Sequence, residues 1–290
     1  MRLAHVVEIQ TPKKYLLNGL WFGPKKPKRV IVFIHGLTGS LFSMKRMVDA
    51  LLDKDTAVLT FNNRGYEQVG EVKRGTGKNA VWKRAGAAHE VFTDCADDVQ
   101  GAVHFAHKAG AKNIYLAGHS TGCQKAVYWA SKKKGGLGVK GLVLFGPLSD
   151  YAIALEQDSK GTLATSVEYA QKLVRAGKPN ELMPAALGPW FVCDAQRFLS
   201  LYTPDSAEET FPYAQPKKHP HALASVRVPV LVLLAGGEEH TKRPAQEIAA
   251  WFEKNIHAPH QVLVVPRVTH SFKGGEGITA GAIRDFMKEF

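Results

Sequence analysis

Cysteine is scarce in this chain. Its three thiols, Cys95, Cys123 and Cys193, are too few and too scattered for a disulfide framework, and no pair has metal-ligand spacing. They are expected to be reduced, with Cys123 acting as small buried apolar filler on a helix. Long apolar runs are also missing. No stretch approaches the roughly 18 apolar residues of a membrane span, and Met1 to Lys14 lacks the unbroken apolar centre of a secretion signal. A soluble, cytoplasmic protein is the resulting expectation.

Acidic residues are outnumbered. The 38 Lys and Arg against 26 Asp and Glu give a formal charge of +12, a field that would attract nucleic acid, acidic lipid or anionic substrates. The cations are nevertheless dispersed: Lys25, Lys26, Lys28 and Arg29 precede a strand, Lys132 to Lys134 end a helix, and Lys217 and Lys218 sit in a proline-rich loop. With no nucleic-acid reader motif, a solvated surface is the simpler interpretation. What is plentiful is material for a core. A chain of 290 residues that is 45% hydrophobic suits one large domain, or a domain carrying an insertion.

The most informative stretch is Asn113 to Gln124. A short apolar run leads into Gly118-His119-Ser120-Thr121-Gly122, and a helical pattern with Ala126, Val127, Trp129 and Ala130 follows. In a strained strand-to-helix turn the residues two positions either side of the serine must be small, and both are glycine.

Around it, apolar runs alternate with helical patterns. Leu3 to Ile9 and Tyr15 to Phe22 suggest a hairpin, and Val30 to Ile34 a buried strand ending in His35-Gly36-Leu37. Leu41 to Leu52 has helical spacing with Ser40 as N-cap. Ala57 to Phe61 returns as a strand, Tyr66 to Ala88 reads as a long loop at the mouth of a site, and Val91 to Ala109 as a helix. After Gly141 to Phe145 the rhythm stops from about 151 to 225, a proline-punctuated stretch with helical pieces such as Thr165 to Ala176 and no repeat. It resumes with strands Val228 to Leu234 and Gln261 to Val265 and helices Pro244 to Glu253 and Ala280 to Phe290. The pattern predicts an α/β fold with a mostly parallel central sheet flanked by helices. Residues 1–150 and 226–290 form its core, and 151–225 an inserted cap.

A serine hydroxyl needs a base within hydrogen-bond reach and a carboxylate to orient that base. His270, a short loop beyond the last strand, is the candidate base. Glu239, after the preceding strand, is the candidate acid, with Glu238 beside it and Asp150, at another strand end, as alternatives. The backbone N–H groups of Thr121 and Leu37 are the candidate donors to an oxyanion. In the cap, Trp190, Phe191, Phe198 and Tyr202 offer core or pocket surface, and Arg64, after a strand end, either an anchor for the mouth loop or a contact for an anionic substrate.

The order Ser120, Glu239, His270 with His35-Gly36 before them resembles the α/β-hydrolase superfamily over nearly the whole chain outside the cap. Glu239 stands where most members carry aspartate. More narrowly, Gly118 to Gln124 and Pro147-Leu148-Ser149-Asp150 resemble a subgroup that includes fungal siderophore esterases. The resemblance implies hydrolysis of small to medium carboxylic esters through an acyl-enzyme, with no metal or organic cofactor and a small-molecule partner. A thioester or lactone would use the same groups. Some proteins of this fold are ligand receptors, which leaves a binding role as the alternative class.

Overall fold

Strand β3 (Arg29–Ile34) places alternate side chains in two separate apolar layers. Val30, Val32 and Ile34 join one cluster, Ile31 and Phe33 another, as the two-residue period of a strand buried on both faces requires. This computed structural model describes residues 3–187, 191–237 and 240–290.

Among the described residues one sheet holds β1 (Ala4–Gln10), β2 (Tyr15–Phe22), β3, β4 (Thr56–Phe61), β5 (Gly70–Arg74), β6 (Val81–Ala85), β7 (Asn113–His119), β8 (Gly141–Phe145), β9 (Val230–Ala235) and β10 (His260–Val265). Strands β4, β3, β7, β8, β9 and β10 lie side by side and parallel. The antiparallel β1–β2 hairpin is added beside β4.

Helices α2 (Cys95–Lys108), α3 (Thr121–Lys132) and α8 (Ala245–Asn255) cover one face, contributing Val99, Val103, Trp129 and Phe252. Helices α1 (Lys45–Leu51) and α9 (Glu276–Glu289) cover the other with Met47, Leu51, Ile283 and Phe286. Successive strands run outward from β3 in opposite directions, β4 on one side and β7 on the other. A crevice therefore opens at their carboxyl ends, where open parallel sheets place ligands.

Between β8 and β9 come α4 (Asp150–Gln157), α5 (Leu163–Arg175), α6 (Ala195–Tyr202) and the short α7 (His221–Ala224). Helices α4 to α6 bury a third apolar cluster around Ala154, Leu173, Phe198 and Leu201. Residues Phe211, Tyr213 and Leu223 instead join the main core, where the Phe211 and Phe252 rings meet at 5.2 Å.

Three local expectations are corrected. Helix α1 starts at Lys45 rather than Leu41, because Ser43 Oγ accepts from Ser40 N–H at 2.9 Å and Asn62 takes the Leu41 N–H at 2.7 Å. Those side-chain bonds hold the chain in turns, and Met44 is left-handed at φ 55°. The expected long loop from Tyr66 to Ala88 contains the antiparallel β5–β6 hairpin. Finally, the helix expected from Val91 begins only at Cys95, which leaves Val91 47% exposed.

Candidate active site

Ser120 closes β7 and opens α3, with φ 55° and ψ −125°, backbone that a non-glycine residue adopts only under constraint. Its N–H donates to Phe145 O at 3.0 Å, and its own carbonyl accepts from Cys123 N–H at 2.8 Å. Close approach explains the flanking glycines. A Cβ on Gly118 would lie 2.3 Å from the Gly122 carbonyl oxygen, and one on Gly122 would lie 2.4 Å from that of Ile34. Cys123 is fully buried behind the turn, its thiol donating to Gly118 O at 3.1 Å, and burial raises its pKa well above the ordinary value.

The turn after β3 packs against the serine. A Cβ on Gly36 would come within 2.9 Å of Ser120 Cβ, so this glycine lets the two loops meet. The N–H groups of Leu37 and Thr121 donate to no protein group among the described residues. His35, one residue before, is buried and accounts for its own charge state. Burial, reinforced by Lys125, lowers its pKa to about 3, and Nδ1–H donates to Gly36 O at 2.9 Å, so the ring is neutral.

Ser120 and His270 line one cavity of about 610 Å³, together with Leu37, Met44, Asp150 and Phe191. His270 is 8% exposed and sits in the loop after β10. Its carbonyl accepts from His119 Nε2–H at 2.9 Å, and its ring lies 4.9 Å from that of His119 and 4.8 Å from that of His240. Gly146, at φ 56°, provides clearance: a Cβ there would stand 3.0 Å from His270 Nδ1. His119 and His240 are cavity residues that the sequence pattern did not single out.

Glu238 and Glu239 lie outside the described residues, as does Trp190. Both flanks of the acidic pair reach the His270 loop: Gly237 N–H donates to Val268 O at 2.8 Å, and the His240 ring packs on His270. The alternative acid, Asp150, lines the cavity and accepts from Gln124 Nε2–H at 2.9 Å. Burial, with Glu208 adding to it, raises its pKa to about 7 against the opposing pull of Arg197 and His270. Ser149, not Asp150, caps α4 by accepting from Ala152 N–H.

Of the aromatic residues between β8 and β9, Phe191 and Tyr202 line the cavity, while Phe198 is fully buried in the third cluster. Arg64 is absent from the cavity lining: its guanidinium is held by Asp98 at 2.7 Å, Asp94 at 3.1 Å and Asp97 at 3.2 Å, and its carbonyl accepts from Gly86 N–H at 2.7 Å.

Beneath the cavity runs a buried ionic chain that hydrophobic periodicity gives no means of finding. Lys125, fully buried on α3, pairs with Glu90 at 2.6 Å and Asn63 Oδ1 at 3.1 Å. Glu90 pairs in turn with the fully buried Arg197 of α6 at 3.0 Å, and Arg197 also pairs with Glu208. Gly65 makes the room, since a Cβ there would overlap the Glu90 carboxylate at 2.3 Å. Burial alone would push the Glu90 carboxyl up, but Lys125 and Arg197 outweigh it and hold it below the usual range. The one clue in sequence is a lysine at a core-facing helix position, beside Ala126.

Among the described residues no group of three or more His, Cys, Asp or Glu is placed to hold a metal ion, and no helix is long and apolar enough to cross a membrane.

A parallel sheet with helices on both faces, a constrained serine at the β7–α3 turn and a histidine beyond the last strand define an α/β-hydrolase fold. Solved structures of that fold align over almost the whole chain. DcsB, solved in complex with its substrate analogue, aligns with a TM-score of 0.69 at 17% identity, covering 99% of each chain. The esterase Pf2001 of Pyrococcus furiosus aligns with a TM-score of 0.62 at 18% identity, over 99% of this chain and 91% of that one. Est1E of Butyrivibrio proteoclasticus, with ferulic acid bound, gives 0.60 at 18% identity, over 98% of each. The chain belongs to the family described as protein of unknown function (DUF1749), whose model matches residues 89–276. No curated protein matches the sequence.

Proposed function

We propose that this protein is a serine hydrolase of small to medium carboxylic esters. The observation that supports it most is the placing of a conformationally constrained Ser120 and a nearly buried His270 on one cavity. His270 takes the proton as Ser120 Oγ bonds to the ester carbonyl carbon, then delivers it to the departing alcohol. Water, activated by the same ring, releases the acid and restores the serine. Glu239 orients His270, with Glu238 and Asp150 as the alternatives. Negative charge gathering on the carbonyl oxygen meets the N–H groups of Leu37 and Thr121, each worth about 3 to 4 kcal/mol in the transition state. No cofactor enters this chemistry.

Within residues 151–225 the cap is the part that packs as the third cluster, with Ile153, Ala154, Phe191 and Tyr202 supplying the wall over the serine, while Phe211, Tyr213 and Leu223 root the segment in the main core. Neither lysine nor arginine lines the cavity among the described residues, so the overall charge of +12 does not translate into an anion clamp at the site. An uncharged acyl group of modest length fits such a lining. Turnover of p-nitrophenyl esters of increasing chain length, run beside thioesters, lactones and a siderophore-type ester, tests the reading. Activity on short and medium esters is expected. Tight ligand binding with no turnover of any member would assign the cavity to a receptor instead.

A further inference from the structure

We infer that the β5–β6 hairpin is a docking surface for an anionic lipid bilayer. Residues 70–85 carry Lys73, Arg74, Lys78, Lys83 and Arg84 against a single acid, Glu71. Lys73, Lys78, Lys83 and Arg84 have no ion-pair partner among the described residues. Amid these cations stand two apolar side chains that pack on little: Trp82 is 64% exposed and Val81 47%. Trp82 faces Lys73 directly across the hairpin, and Arg84, two residues along on the same face, stands opposite the lone acid Glu71, while Val81 and Lys83 share the other face. A tryptophan on a hairpin with five cations and one acid suits the boundary between headgroups and acyl chains, where indole is favoured and the cations meet lipid phosphate.

Register sets where this surface points. Gly19 of β2 pairs with Phe61 at the carboxyl end of β4, whereas Arg74 pairs with Tyr15, four residues nearer the start of the antiparallel β2 and so beyond the end of β4. The hairpin therefore extends past the carboxyl edge of the sheet, the edge that holds the cavity. Its base is fastened there: Glu67 N–H donates to Gly39 O at 2.8 Å, and Gln68 Nε2–H donates to the carbonyl of Val192. Gly39, and Phe191 next to Val192, are cavity-lining residues. A bilayer held by the hairpin tip would lie on the side of the molecule that carries the cavity.

Other occupants fit less well. Strand β6 pairs only with β5 among the described residues, but a second copy adding there would set Lys83 and Arg84 against their own counterparts. Nucleic acid would use the cations but gain nothing from Val81, and one tryptophan is a poor stacking platform.

The docking surface does not depend on Ser120, which keeps its test separate from that of hydrolysis. Co-sedimentation of the whole protein and its Ser120→Ala variant is measured with phosphatidylcholine vesicles, with and without phosphatidylglycerol. Both proteins are expected to bind only the anionic vesicles, and less as salt rises. The pair Lys83→Gln and Arg84→Gln is expected to weaken binding roughly 25-fold, about fivefold per charge. Trp82→Ala is expected to weaken it several-fold while leaving the melting temperature and hydrolysis of a soluble ester unchanged. No binding, binding indifferent to both sets of substitutions, or retention on duplex DNA in place of vesicles would each overturn the inference.

Discussion

Replacing Arg197 with leucine probes the buried ionic chain that ties α6 through Glu90 to α3. The guanidinium is fully buried between Glu90 and Glu208, which are 5% and 2% exposed. Burial would lower its pKa, but the two carboxylates reverse that and raise it, so the cation is firmly charged. Without it Glu90 keeps Lys125, whereas Glu208 keeps, among the described residues, the Ser200 hydroxyl at 2.7 Å. Breaking a buried pair in this way costs about 3 to 5 kcal/mol. At roughly 2 to 4 °C per kcal/mol for a chain of this class, the melting temperature should fall by about 6 to 20 °C. Adding Glu208→Gln removes the stranded carboxylate and should recover part of the loss, a coupling readable in a double-mutant cycle of denaturant unfolding. A loss below about 1 kcal/mol, or a double variant no more stable than Arg197→Leu alone, would refute the role given to this chain.

Other substitutions test the elbow, the cap and the pH response. Gly118→Ala forces a Cβ to within 2.3 Å of the Gly122 carbonyl; it should cost about 1 to 3 kcal/mol and about 100-fold in ester turnover, and normal kinetics would remove the close-approach explanation. Phe198→Ala, in a fully buried site, should lower stability by about 3 to 5 kcal/mol, as unfolding in urea would report. Phe191→Ala, on the cavity wall, should instead change acyl-chain preference with little shift in melting temperature. Burial raises the pKa of Glu209 from the ordinary 4.5 to about 7, opposed by the Ser149 hydroxyl that donates to it. The folded state thus holds a proton that the unfolded chain has released, and this group's contribution to stability declines as pH rises from about 4.5 through about 7. Glu209→Gln should flatten the fall in melting temperature across that window; an unchanged slope would contradict the assignment.

The parallel sheet was legible because buried strands are continuous apolar runs, and β3, β4, β7, β8 and β9 lie where such runs occur. The serine turn was legible because its steric demand is local: two glycines in five residues answer two close backbone approaches. His270 was singled out by its place after the last strand, and its sharing of a cavity with Ser120 follows from parallel strands ending at one edge. The β5–β6 hairpin was missed because it buries so little, only Val72 and Ala85, leaving no alternation to detect. The start of α1 was misplaced because Ser40 forms a turn with Ser43 instead of a cap, a choice set partly by distant Asn62. Lys125, Glu90 and Arg197 lie on three separate segments, and only the folded chain brings their charges together.

Fluorophosphonate labelling followed by peptide mass spectrometry bears most directly on whether Ser120 is a reactive nucleophile. A single adduct on the peptide containing Ser120 is expected, lost in Ser120→Ala together with ester turnover. An unlabelled protein, an adduct on another serine, or undiminished turnover in Ser120→Ala would contradict it.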